Sequence, residues 1–433
     1  MWIAISLSLI INLFFNKNLK NRYHEKRFLE MGYQLNLFLS IYIIGPALVL
    51  ITSSYVEGDP ISYLYNGFTY ANEQNFIFHL YRMLAFQLTF AIFYLFFRNF
   101  NNISLDIKKF SFSKFMVIFF GLILLLTYII LFTNSNTFEN YVESYQRFDH
   151  LSPVLKLIVS ILVRFKFAFI IIFLINLFYT FKNNKFLLFL TCSILIYLEF
   201  IFSAGARISL FFLFLQLFIL ISIFFGVPFM SFKKLFLGII AFATLFVFIE
   251  RLRINDTGFE SETLLSIPGE FGSVFFTSFH LYNERISGSL PETNSMMLFF
   301  DFFGAILPNS KIIEYDPIFW YQKNYFPETD VPPFTLGPIS NTAIWEGYIG
   351  LFLRSFLCAL LIAKVSNYFS SGSFSFFKLL LYMFLFSTCI MIHKYSIFYH
   401  ITPFVKNIII PFIFYSALIF LLRPYTIKYN IAD

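Results

Sequence analysis

The chain has 433 residues, 58% hydrophobic and only 13% charged, with a mean hydropathy of +0.74 and a formal net charge of +7. A soluble domain carries about 25% charged residues, so this sequence lacks the charge to coat a water-exposed surface of its size. Disordered, collagen-like and disulfide-framework classes are excluded with it, which leaves the bilayer as solvent. The expected fold class is an all-α polytopic integral membrane protein.

Cys192, Cys358 and Cys389 all fall in apolar runs and read as small hydrophobes rather than a disulfide or redox pair. The 68 phenylalanines carry little functional information, because lipid accepts Phe about as well as Leu. The positive charge does not point to nucleic acid, since topology accounts for its placement.

A spanning helix needs roughly 20 mostly apolar residues. In chain order the apolar segments are 2–15, 34–52, 76–97, 115–133, 154–181, 186–203, 208–226 and 235–250, then 343–363, 377–392 and 404–422. They predict about eleven transmembrane helices (ten to twelve). The first lacks a basic leader and is followed by Lys17, Lys20, Arg22, Lys26 and Arg27, the pattern of an anchor with its N-terminus outside. Alternate assignment of the loops then puts seventeen Lys/Arg on the cytoplasmic side. The short outside loops hold four, Arg147, Arg207, Lys394 and Lys406. That bias orients the chain, N-terminus out and C-terminus in.

Residues 251–342 break the pattern of short connections. This segment separates helices 1–8 (1–250) from helices 9–11 (343–433) and forms one large external loop, periplasmic in the predicted orientation. It carries eight of the 15 prolines and eleven of the 24 acidic residues. A loop of this length is usually functional. Within it Met296–Leu307 is too short to span and reads as an interfacial or re-entrant helix.

Charged residues inside spans are expensive and rarely idle. Here they are Arg82, Lys156, Arg164, Lys166, Glu199, Glu346 and Arg354, all but Arg354 in the outer half of their segment. Arg207, Glu250, Arg251, Arg253, His393 and Lys394 join them at the outer boundary. Snorkelling alone would account for Arg251 and Arg253, and Arg82 and Lys156 read as structural. Arg164 and Lys166, two apart, point to roughly opposite helix faces, so at most one faces a shared cavity while the other snorkels or pairs with a partner such as Glu199.

Several arginines at the outer leaflet suit an anionic headgroup, most simply a lipid phosphate or pyrophosphate, because the guanidinium fork matches phosphate oxygens and stays charged. His280, Glu284 and Arg285 fall together in the loop, with Glu270, Asp301 and Glu346 as further acids, and supply a candidate general base. The sequence has no His-Glu-x-x-His, no zinc-spaced Cys/His cluster, no Walker loop and no Asp-x-Asp. No metal or cofactor is therefore expected, and an activated lipid is left as the energy source.

Three segments carry a resemblance: Gly337–Gly350 (GPISNTAIWEGYIG) running into the ninth span, Ser203–Arg207 (SAGAR), and Glu250–Arg253 leading into the loop. With the late external loop, the chain resembles the Wzy-type O-antigen and capsule repeat-unit polymerases, and in architecture the GT-C-like lipid-linked glycan polymerases. The resemblance implies transfer of a growing glycan from undecaprenyl pyrophosphate to a sugar hydroxyl of an incoming lipid-linked repeat unit, in the bacterial inner membrane. It places Arg207, Arg251 and Arg253 at the pyrophosphate, with Arg164 and Arg285 in reserve. Glu346, Glu284 and His280 become candidates for the base. The expected partners are the undecaprenyl-pyrophosphate-linked oligosaccharide, the bilayer and a chain-length regulator protein. Tyr282, Tyr315, Trp320, Tyr321 and Tyr325 would either stack on sugars or pack the loop against itself. An O-antigen ligase and a lipid-linked oligosaccharide flippase are the alternative readings.

Overall fold

The computed structural model describes residues 1–23, 29–53, 73–99, 107–110, 113–134, 152–202, 207–225, 261–293, 297, 317–327, 336–345, 347–370, 373–391 and 408–429. Among these residues every regular element is a helix; Ile107 and Phe374 add one isolated parallel bridge. The helices are α1 (Trp2–Tyr23), α2 (Met31–Ser53), α3 (Glu73–Phe97), α4 (Ser113–Asn134), α5 (Pro153–Phe181), α6 (Lys185–Phe202) and α7 (Arg207–Phe225). They continue with α8 (Ser261–Ser287), α9 (Pro317–Tyr325), α10 (Pro338–Ile344), α11 (Tyr348–Ser370), α12 (Phe376–Met391) and α13 (Ile410–Tyr429).

Five of them, α1, α2, α3, α4 and α11, are long and apolar enough along their described residues to cross a membrane, and shorter apolar stretches lie in α5, α7, α12 and α13. The protein is a multi-pass helical membrane protein in this sense. The described residues of the predicted spans fall on helices, save the turn at Trp345 and Gly347 within 343–363; 235–250 lies outside the described residues, as does 296–307 apart from the buried Met297.

Helix ends follow local chemistry. Ser152 caps α5, its hydroxyl accepting from the Leu155 amide at 3.5 Å, and Pro153 occupies the first turn, where a missing N–H costs nothing. The ninth predicted span, 343–363, begins later than the hydropathy places it. Residues 338–344 form the separate, fully buried α10, and the span starts at Tyr348 after a turn at Gly347 (φ 65°). Arg354, central in the predicted span, consequently lies about 8 Å toward the N-terminal end from the middle of α11.

The chain divides into two compact units. The first comprises Met1–Ile103, Gly258–Ser371 and Thr388–Thr402, and so contains α1–α3 and α8–α11. Its interior is polar where helices cross. Ser8 donates to the Gln87 side-chain oxygen at 2.9 Å and lies 3.0 Å from the Ser40 hydroxyl, and the Gln87 amide donates to Ser40 at 2.7 Å. Such bonds hold helices together where lipid supplies no hydrophobic drive between them. α3 and α11 run side by side, with Phe93 against Phe356 (ring centroids 4.9 Å apart) and the Ser355 hydroxyl donating to the Phe86 carbonyl at 2.6 Å.

The second unit comprises Ser104–Thr257, Gly372–Ser387 and Pro403–Asp433. Phe120 meets Phe169 between α4 and α5, and Tyr415 of α13 stacks on Phe376 of α12 at 3.9 Å. Lys166 Nζ lies 2.8 Å from Glu199 Oε1, and the Tyr128 hydroxyl donates to Glu199 Oε2 at 2.7 Å. The partner that the sequence offers for one of Arg164 and Lys166 is thus taken by Lys166.

Candidate functional site

The site is built on the last two turns of α8. Gly288 (φ 75°) closes this helix: its N–H donates to the Arg285 carbonyl at 3.3 Å, and the Ser289 N–H donates to the Glu284 carbonyl at 3.0 Å. Both bonds belong to a Schellman turn, whose left-handed residue favours glycine. The turn fixes the register of His280, Tyr282, Glu284 and Arg285 just before it. Arg285, in the last turn, also meets the negative end of the helix dipole.

His280 and Glu284 lie on one face, four residues apart. His280 Nε2 is 3.8 Å from Glu284 Oε1, with the two side chains 23% and 26% exposed. From α9, the Tyr321 hydroxyl lies 3.2 Å from His280 Nδ1, and the Tyr325 ring meets the imidazole edge-on at 4.6 Å. Burial holds the imidazole below its ordinary value, against the upward pull of the Glu284 carboxylate. His280 is therefore neutral at pH 7, with Tyr321 at one ring nitrogen and a carboxylate beside the other. Such a pair can accept a proton and stabilise the imidazolium that results.

The next residues of α8 face α10 and α11. The Tyr282 and Thr342 hydroxyls share a hydrogen bond of 2.7 Å, and Arg285 Nη1 donates to the Ala343 carbonyl at 2.8 Å. A Cβ at Gly347 would stand 3.2 Å from Arg285 Nη2, so the turn before α11 is matched to the guanidinium. From α3, the Arg82 guanidinium carbon lies 4.7 Å from the Tyr282 ring centre and 5.4 Å from that of Tyr348, and Arg82 Nη2 donates to the Tyr348 hydroxyl at 3.1 Å. Burial pushes the Tyr282 hydroxyl up to about 12, while Thr342, Arg82 and Arg285 pull the other way. One turn earlier in α3, His79 Nε2 lies 2.8 Å from the Ser278 hydroxyl.

The fold therefore brings His280, Glu284 and Arg285 to one end of the first unit, beside α9, α10 and α11. Arg164 lies in α5 and Arg207 opens α7, both in the second unit, and their side chains are outside the described part of the structure. Arg251, Arg253 and Glu346 also lie outside the described residues. Trp320, Tyr321 and Tyr282 are 7%, 2% and 1% exposed, so packing of the loop accounts for them and no free face is offered to a sugar. Arg82, structural on its position in the sequence, stands against Tyr282 and Tyr348. Its tyrosine neighbours are distant in sequence, and no local pattern in α3 points to them.

Among the described residues no three His, Cys, Asp or Glu side chains converge as a metal site requires. No family model, characterised protein or solved structure matches the chain.

Proposed function

We propose that the protein is a glycosyltransferase of the outer face of the bacterial cytoplasmic membrane, polymerising lipid-linked oligosaccharide repeat units for O-antigen or capsule. In this reading it has about eleven spans, its N-terminus outside and its C-terminus inside, in the manner of GT-C-like lipid-linked glycan polymerases. The observation that supports it best is His280 held between the Tyr321 hydroxyl and Glu284 in a protein with five helices long and apolar enough to cross a membrane.

The sugar hydroxyl at the end of the incoming repeat unit attacks the anomeric carbon of the growing glycan. The bond from that carbon to the pyrophosphate oxygen breaks, and the lipid pyrophosphate leaves with the electron pair. His280 Nε2 takes the hydroxyl proton, with its Nδ1–H donated to the Tyr321 oxygen; Glu284 lowers the energy of the imidazolium so formed. Glu346 is the alternative base. Arg207, Arg251 and Arg253, with Arg164 and Arg285 in support, neutralise the departing pyrophosphate.

Deletion of the gene and gel analysis of surface glycan tests the reading. Single repeat units on the surface are expected. Full-length chains stranded on the lipid carrier would instead identify a ligase, and loss of all external repeat units a flippase.

A further inference from the structure

A guanidinium inside a membrane protein ordinarily has a carboxylate beside it. Two other cations follow that rule: the buried Arg98 faces Glu30 at 2.7 Å and the half-buried Lys166 faces Glu199 at 2.8 Å. Arg82 does not. Its side chain is buried at 8% exposure, yet among the described residues no carboxylate lies within ion-pair distance of it. Of its donors, Nη2 reaches the Tyr348 hydroxyl, while Nη1 is buried with no acceptor.

Two tyrosine faces, those of Tyr282 and Tyr348, flank the group. Cation–π contacts offset part of the desolvation but satisfy no N–H. A buried cation left in this way calls for an anion. The surroundings favour one with several oxygens. Arg82 presents a planar fork, one prong held by the Tyr348 hydroxyl and the other buried without an acceptor, and the Tyr282 ring, fixed by its bond to Thr342, lies against the guanidinium. Arg285 supplies a second positive charge, bonded to the Ala343 carbonyl and free of any carboxylate among the described residues. Tyr348 is 55% exposed, so its hydroxyl, which accepts from Arg82 Nη2, stands where an entering oxyanion would bond.

We propose that Arg82, between Tyr282 and Tyr348 and with Arg285 as a second cation, binds a phosphate-class anion. The inference rests on Arg82 and its neighbours and holds whichever reaction the protein carries out. The phosphate belongs either to a lipid headgroup or to a soluble ion, and two probes separate them. Inorganic pyrophosphate is titrated against the full chain in detergent, and dioleoyl phosphatidic acid is incorporated into phosphatidylcholine nanodiscs holding it. Melting temperature and binding isotherm are read in both.

A rise in melting temperature with either probe is expected, and the probe that acts identifies the source. R82Q is expected to weaken binding by about tenfold or more, the loss of charge-assisted hydrogen bonds. Y348F, at an exposed position, removes the competing hydroxyl and is expected to tighten binding about fivefold. Equal binding by R82Q and the native chain overturns the proposal, as does the absence of any response to both probes. If R82Q does not fold, Y348F decides, and an unchanged affinity there overturns it.

Discussion

Arg98 at the end of α3 and Glu30 just before α2 form a two-pronged ion pair, Nη2 to Oε1 at 2.7 Å and Nε to Oε2 at 3.1 Å, with the side chains 0% and 1% exposed. Tyr94 donates to the same carboxylate at 2.6 Å, and Asn367 and Ser370 of α11 accept from Arg98 Nη1. Three helix ends are thereby latched at the opposite end of α3 from Arg82. Removing one partner of a buried pair strands the other charge at about 3–5 kcal/mol. E30Q and R98M are each expected to lower the melting temperature of the detergent-solubilised protein strongly. The double variant should recover much of the loss. Additive losses would show that the two groups do not depend on each other.

Gly32 tests the same corner sterically. A Cβ there would overlap the Tyr94 ring, whose hydroxyl is held by Glu30. Overpacking of this kind costs about 1–3 kcal/mol. G32A should destabilise the native protein by this amount and a Y94A background by far less, read by thermal unfolding. An equal effect in both backgrounds would contradict the contact.

The Lys166–Glu199–Tyr128 group predicts a different pattern. Lys166 is 15% exposed and reaches an edge of its unit, while Glu199 is buried at 2%. K166M strands a carboxylate and should fall within the about 3–5 kcal/mol range for a broken buried pair. E199Q leaves a lysine able to snorkel and should cost less. Chemical denaturation of the two variants checks the order, and the reverse order would contradict the assigned burial.

His280 gives a pH dependence with a definite sign. Its folded value lies below the ordinary 6.5, because burial favours the neutral ring. Its contribution to stability is complete above about pH 6.5 and is lost as the pH falls through the depressed value, where the folded protein must take up the proton. Glycan transfer should likewise hold its rate through pH 6.5 and decline only at more acidic pH. H280Q should abolish transfer and remove the stability loss below pH 6.5. A rate that declines already on the alkaline side of 6.5 would exclude His280 as the base.

How much of this was legible in sequence differs from element to element. Apolar length alone marks α1 to α4, which are long and apolar enough to cross a membrane. The Lys166–Glu199 pair is readable for the same reason, since two opposite charges in neighbouring apolar segments have few partners but each other. The His280, Glu284 and Arg285 grouping is local, four and five residues along one helix. The anchoring of that group is not local. Tyr321 comes from α9, Thr342 from α10, and Arg82 meets a tyrosine 266 positions away. The separate α10 was also hidden, because it is only seven residues long and its apolar end, Ala343 and Ile344, lies close ahead of the span at Tyr348. Trp320 and Tyr321 read equally well as sugar platforms or as packing, and only their burial separates the two.

The central claim is that this protein polymerises lipid-linked repeat units with His280 as base. The full chain, reconstituted in lipid with an undecaprenyl-pyrophosphate-linked repeat unit as the sole substrate, is sampled over time and resolved by gel. A ladder of increasing chain length from the native protein, and the single unit alone from H280Q protein of unchanged melting temperature, is the predicted result. A ladder from H280Q equal to that of the native protein, or no ladder from the native protein, would contradict the account.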